Sequence, residues 1–187
     1  MNDLLPQAYL LGLIALLGVA AFVVARQILR VRGDELAMAR LGGNDKASGA
    51  PRDVSTLYEL ASVQLRKRLY GEAQVNLKQA LKLADAENAP AEARALMENA
   101  LGFTLAAQNN YTAAVRHYRA ALRAKADYPV AINNLAFALE KQAKPDEART
   151  LYERVLQLEA TNKTARKRLS ILERRSGNGA SANGKAS

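Results

Sequence analysis

The sequence predicts an all-α protein: a single membrane-spanning helix, then a solenoid of three helix-turn-helix repeats closed by a capping helix. Three observations predict it. Apolar residues recur at the three-to-four spacing of one helical face through residues 54–162. The same residue sizes return after 34 positions, as Ala114 returns at Ala148. Leu4 to Ala25 is a run of 22 residues without a charge.

Composition narrows the function classes. In 187 residues, 27 Lys and Arg stand against 18 Asp and Glu, a net charge of +9 that points to acidic partners or anionic lipid. With no cysteine there is no disulfide, thiolate metal site or cysteine nucleophile. A single histidine argues against metal clusters and Ser/His/Asp arrangements. Carboxylates such as Glu98, Glu140 and Asp146 fall at exposed-looking helical positions, with no paired acid and base, phosphate loop or nucleophile beside them. The expectation is a binding protein, not an enzyme, with no cofactor or metal.

The charge-free run is about 33 Å long as a helix, against a hydrocarbon core of roughly 30 Å. Only Asp3 and the terminal amine precede it, whereas Arg26, Arg30 and Arg32 come after it, so its carboxyl-terminal side is expected to face the cytoplasm. Gly18-Val19-Ala20 resembles a signal cleavage site, but signal peptides carry positive charge before the apolar run. An uncleaved anchor, residues 1–32 with a basic flank, is therefore expected. Residues 33–53 read as a linker: Asp34 caps a short helix to Leu41, Gly42-Gly43 stop it, and a flexible stretch runs to Asp53. Twelve such residues reach about 20 Å, which keeps the repeats near the bilayer.

The clearest repeat is residues 129–162, with Ile132, Leu135, Ala136 and Leu139 on one helix and Ala148, Tyr152, Val155 and Leu156 on the next. Pro145-Asp146 separates them. Residues 95–128 repeat it with Leu101-Gly102, Leu105, Tyr111, Tyr118, Ala121 and Leu122. Residues 54–87 do so with Leu60-Ala61, Tyr70, Ala73, Leu77, Ala80 and Leu81, but 41 positions earlier, which leaves seven extra residues within Ala84 to Ala91. Small residues at Ala61, Gly102 and Ala136, and at Ala73, Ala114 and Ala148, let helices cross closely. On these residues the chain resembles the tetratricopeptide-repeat (TPR) family. It departs from the repeat pattern at Leu57, Glu98 and Ile132, where a large aromatic is common, and at Asp85, Ala126 and Ala160 in place of a proline.

That resemblance implies that the first helices line a concave face. The matching groove positions are Tyr58, Ser62 and Arg66, then Asn99 and Phe103, then Asn133, Phe137 and Lys141, with Ser55, Leu65, Leu96, Ala106, Val130 and Glu140 beside them. Aromatic anchors and amides suit a peptide segment of a protein partner. The plainer alternative is that Phe103 and Phe137 pack between helices. Clamp positions for a terminal carboxylate hold Tyr58, Ser62, Ala100 and Val130, so that ligand is not expected. His117 reads as a surface or packing residue.

Residues 163–175 read as a capping helix with Ala165, Leu169 and Leu172 on its apolar stripe. Its basic face holds Arg166, Lys167, Arg174 and Arg175, and with Lys163 and Arg168 against Glu173 the segment carries +5. A solvated face ranks first. Anionic headgroups rank second, at about 1 kcal/mol per cation near a surface. Nucleic acid ranks last, without an aromatic stacking pattern. Residues 176–187 are expected to be disordered.

A narrower resemblance rests on Leu5-Pro6, Tyr9-Leu10, Phe22, Arg26-Gln27, Arg30, Arg32 and Glu35, followed by a linker and three repeats. This order is similar to the membrane-anchored TPR proteins of cyanobacteria and plastids implicated in photosystem I assembly and stability. It implies a thylakoid anchor with a lumenal amino terminus, repeats on the cytoplasmic (stromal) side, and photosystem I subunits as partners of a non-catalytic scaffold. The alternative is a bacterial envelope TPR adaptor or quality-control tether, marked by a cleaved amino terminus or the reverse orientation.

Overall fold

A computed structural model describes residues 4–48 and 53–183, and every element among them is helical. The chain divides into two compact units, Met1–Ala50 and Pro51–Ser187.

The first unit is one helix, α1 (Leu4–Ser48), of 45 residues. Within Tyr9–Gly42 its mean hydropathy reaches 2.2, and among the described residues it is the one helix long and apolar enough to cross a membrane. The expected break at Gly42-Gly43 is absent, and Asp34 lies inside the helix instead of capping a new one. Each glycine costs about 1 kcal/mol relative to alanine in a helix, which weakens it without forbidding it. The next proline, a real obstacle, is Pro51. Helix therefore replaces most of the expected linker, and residues 49–52 lie outside the described residues.

The second unit stacks α2 (Val54–Arg66), α3 (Tyr70–Ala86), α4 (Ala91–Ala107), α5 (Tyr111–Ala124), α6 (Pro129–Lys141), α7 (Pro145–Leu158) and α8 (Lys163–Asn183), each against its neighbour in sequence. Asp53, Asn110 and Asn162 cap α2, α5 and α8, their side chains accepting from the N–H of Thr56, Ala113 and Ala165. Proline opens α6 and α7, where its missing N–H costs nothing.

Inside each repeat the turn has one form. Its middle residue takes a left-handed φ, 60° at Arg68, 61° at Asn109 and 59° at Ala143. The next N–H then reaches back to the helix, Leu69 to Gln64, Asn110 to Leu105 and Lys144 to Leu139, at 2.9–3.0 Å. Asparagine suits that conformation, whereas the Cβ of Arg68 or Ala143 crowds the backbone there.

The core is a file of small residues facing large ones. Ala61, Ala73, Ala114, Ala136 and Ala148 are fully buried beside Leu77, Tyr118, Ile132 and Tyr152. Gly102 faces Tyr118 so closely that a Cβ added there would lie 2.7 Å from two ring carbons. Burial pushes the Tyr118 phenol well above its ordinary pKa. The seven extra residues of the first spacing lengthen helices and leave the connecting loop unchanged. α3 is three residues longer than α5, and α4 is four longer than α6, while both connections, residues 87–90 and 125–128, have four residues.

α8 begins at Lys163, 34 residues after Pro129, and so stands as the first helix of a fourth repeat. Where α6 has Ile132, Ala136 and Leu139, it has Arg166, Ser170 and Glu173. Those residues give a further helix nothing apolar to bury against, which ends the stack. Ala165 and Leu172 are buried as expected, but the backbone of α8 stays helical through Asn183, past the expected end at Arg175. Extending a nucleated helix is easier than starting one, and no proline comes after it to stop it. Residues 184–187 of the expected disordered tail lie outside the described residues.

Two substitutions test this packing by denaturant unfolding of residues 51–187. Helix propensity alone favours Gly102→Ala by about 1 kcal/mol, but overlap with the buried Tyr118 ring should reverse the sign and cost about 1–3 kcal/mol. Ala143→Gly, which relieves the left-handed turn, should stabilise by up to about 1 kcal/mol.

Candidate protein-binding groove

The 34-residue register places four first helices, α2, α4, α6 and α8, at matching positions. Leu96 matches Val130, Asn99 matches Asn133 and Phe103 matches Phe137. Leu96, Phe103 and Val130 are exposed at 43%, 45% and 52%. Three apolar side chains on equivalent faces are thus left open to solvent.

The two phenylalanines differ. Phe137 is half-buried, meets Tyr111 edge-on at 6.5 Å, and lies beneath Arg168 at 4.6 Å and Lys141 at 5.4 Å. Phe103 has no such cover, because the residue of α6 that matches Arg168 is Asn134. The packing alternative therefore describes Phe137, and Phe103 is the open aromatic.

Arg168, expected on the basic cap face, turns inward. Its Nε lies 3.8 Å from the carboxylate of Glu140, whose side chain is only 8% exposed. That carboxylate also accepts from the Tyr152 hydroxyl at 3.0 Å. Burial, then the nearby Glu140 charge, pushes the Tyr152 phenol well up. Glu140, expected beside the groove residues, instead ties α8 to the third repeat.

Amides link the helices. Asn134 donates to the Asn99 carbonyl oxygen at 3.0 Å, and Asn99 donates to the Tyr128 hydroxyl at 3.4 Å. Burial, with Tyr58 nearby, pushes the Tyr128 phenol up. Asn133 donates to Asn162 at 3.3 Å, while its own buried Oδ1 has no partner. Asn99 is thus partly committed to packing, and Asn133 keeps an unused acceptor. Tyr58 is half-buried, the Ser62 hydroxyl donates to the Tyr58 carbonyl, and Arg66 is exposed. Lys141 is exposed beside Phe137.

Arg166, Lys167, Arg174 and Arg175 lie exposed on α8, with Arg166 donating to the Ala160 carbonyl at 2.7 Å. Arg26, Arg30 and Arg32 are exposed on α1. His117 packs against Glu98 at 2.7 Å, a pairing between α4 and α5 that sequence reasoning misses. It also misses Tyr128 and Asn134; the 34-residue register, extended one position beyond Asn133, points to Asn134. Among the described residues no cluster of three or more metal-ligating side chains occurs.

In thermal denaturation, Phe103→Ala should change stability by less than about 0.5 kcal/mol. Phe137→Ala, which strips the ring from beneath Arg168 and Tyr111, should cost about 1–3 kcal/mol.

Comparison with known proteins fits this architecture. The tetratricopeptide-repeat family pattern matches residues 105–169. The first TPR domain of Spaghetti (RPAP3), solved with an HSP90 peptide, superposes with a TM-score of 0.61 at 19% identity, over 67% of this chain and 94% of that one. At that identity it shows the fold alone. The chloroplastic TPR domain-containing protein PYG7 of Arabidopsis thaliana is 32% identical over 90% of this chain, which spans only 54% of that protein. Protein ycf37 of Guillardia theta is 31% identical over 92% of this chain and 94% of its own length. The chain accordingly belongs to the family of plastid tetratricopeptide-repeat proteins that includes ycf37, a repeat class whose members serve as protein-interaction scaffolds.

Proposed function

We propose that this protein is a membrane-tethered scaffold that holds protein subunits on the cytoplasmic (stromal) side of the thylakoid and assists the assembly or stability of photosystem I. The observation that carries the scaffold reading is the set of open apolar side chains, Leu96, Phe103 and Val130, on matching faces of a repeat stack that lacks a catalytic constellation among its described residues. An unpartnered apolar array of this kind gains free energy, about 25 cal/mol per Å² covered, when a partner covers it. The mechanism is binding without chemistry: the groove orders an exposed segment of a subunit until that segment docks elsewhere.

The tether rests on α1. Its charge-free run is succeeded at once by Arg26, Arg30 and Arg32, which favours retention of that flank in the cytoplasm. Confinement to a surface raises the effective concentration of the repeats near membrane clients. The plastid relatives support a photosynthetic membrane, and the resemblance of the anchor region supports photosystem I as the client. Contact between the α8 cations and anionic headgroups would add to the tether.

Affinity purification of the tagged chain from gently solubilised native membranes should enrich photosystem I subunits over photosystem II, and Phe103→Ala should reduce that enrichment several-fold. Enrichment of envelope or secreted proteins with no photosystem subunit would replace this reading with the envelope adaptor.

A further inference from the structure

The concave face is chemically polarised from one end to the other, and the polarity specifies a ligand. At the α2 end, the added turn of α4 and the residues before it build a wall that the later repeats lack. Val54, Tyr58, Ala89, Pro90, Ala93 and Leu96 line a hollow of about 460 Å³ there. The carboxylate at its margin, Glu87, is exposed. At the α8 end the register replaces Asn99 and Asn133 with Lys167, and Phe103 and Phe137 with Ile171. A second hollow of about 590 Å³ is lined there by Lys163, Thr164, Lys167, Arg168 and Ile171.

The cations at that end differ in availability. Arg168 is balanced by Glu140. Lys141, Lys163 and Lys167 are exposed, and among the described residues none of them has a carboxylate partner. The nearest inner-face carboxylate, Glu140, is already buried against Tyr152 and Arg168. This end of the face therefore carries uncompensated positive charge, whereas the α2 end is apolar with a negative rim.

We propose that the groove takes an extended peptide segment with apolar side chains at one end and a run of carboxylates at the other. The apolar side chains fill the hollow between α2 and α4 and cover Leu96 and Phe103. The carboxylates lie against Lys141, Lys163 and Lys167. Helix spacings of about 8–10 Å across four helices give a track of roughly 25–30 Å, which about eight residues span at some 3.3 Å each. The free Oδ1 of Asn133, midway along it, supplies an acceptor for a backbone N–H of such a segment. This inference rests on the scaffold reading and narrows its client to acidic, amphipathic segments. An apolar hollow and a cationic end on one face favour a peptide over a lipid headgroup, which uses the charge alone.

The test is fluorescence anisotropy of the full-length chain in phosphatidylcholine nanodiscs. The probe is a fluorescein-labelled peptide with leucines at one end and glutamates at the other, and its companion has glutamine in place of each glutamate. The glutamate probe should bind at least about tenfold more tightly, with the gap closing in high salt. Lys163→Glu with Lys167→Glu should abolish the preference, and Ala93→Phe, which fills the hollow, should weaken both probes about fivefold. Circular dichroism melts of each variant establish that it is folded. Equal binding of the two probes, no binding of either, or a preference that survives the charge reversal overturns the inference. So does capture of phosphatidylglycerol vesicles through the same lysines without peptide binding, which makes them a headgroup site. Photosystem I subunits still co-purifying after any of these results would leave the scaffold reading standing.

Discussion

The repeat stack depends on how closely two helices cross inside each repeat. At Gly102 the backbone of α4 passes so near the buried ring of Tyr118 on α5 that no side chain fits between them. Ala61 and Ala136 hold the matching positions, with Leu77 and Tyr152 at those matching Tyr118. A small residue on one helix and a large one on the next fix the crossing, and a shared left-handed turn fixes the connection. Repetition of that unit at a constant interval sets the first helices side by side, and the binding face is their common surface.

Because the face is assembled by repetition, what distinguishes one position from another is its neighbour in the next repeat. Phe103 is open since Asn134 stands where Arg168 stands for Phe137. The last helix performs two tasks with one set of charges. Arg168 enters a buried network with Glu140 and Tyr152, which secures the cap, while Lys163 and Lys167 stay in solvent and set the charge of that end. A buried pair of this kind contributes to stability mainly because both partners are present; removing either strands the other.

Much of this architecture is legible in the sequence. The period of 34 between Ala114 and Ala148, and the apolar stripes between them, specify the helices, their pairing and the groove positions. The rest depends on contacts between distant residues. The side-chain direction of Arg168 is set by an acceptor 28 positions away, and a basic helix face viewed alone gives no sign of it. The seven extra residues announce themselves by spacing, yet their placement as added helical turns, and the hollow they wall, is decided by packing. Gly42-Gly43 misleads in the other direction: a local propensity penalty of about 1 kcal/mol per glycine reads as a stop, and α1 passes through it.

The central claim is that the inner face of the repeats, and not the outer one, receives the client. Val75 on α3 is exposed at 64%, more than Phe103, and makes a matched control. A photo-crosslinking amino acid placed at position 103 or at position 75 of the full-length chain, irradiated in native membranes, compares the two faces directly. The account predicts a discrete set of crosslinked membrane-complex subunits from position 103 and little or none from position 75. Equal crosslinking from both positions, or products from position 75 alone, would contradict it.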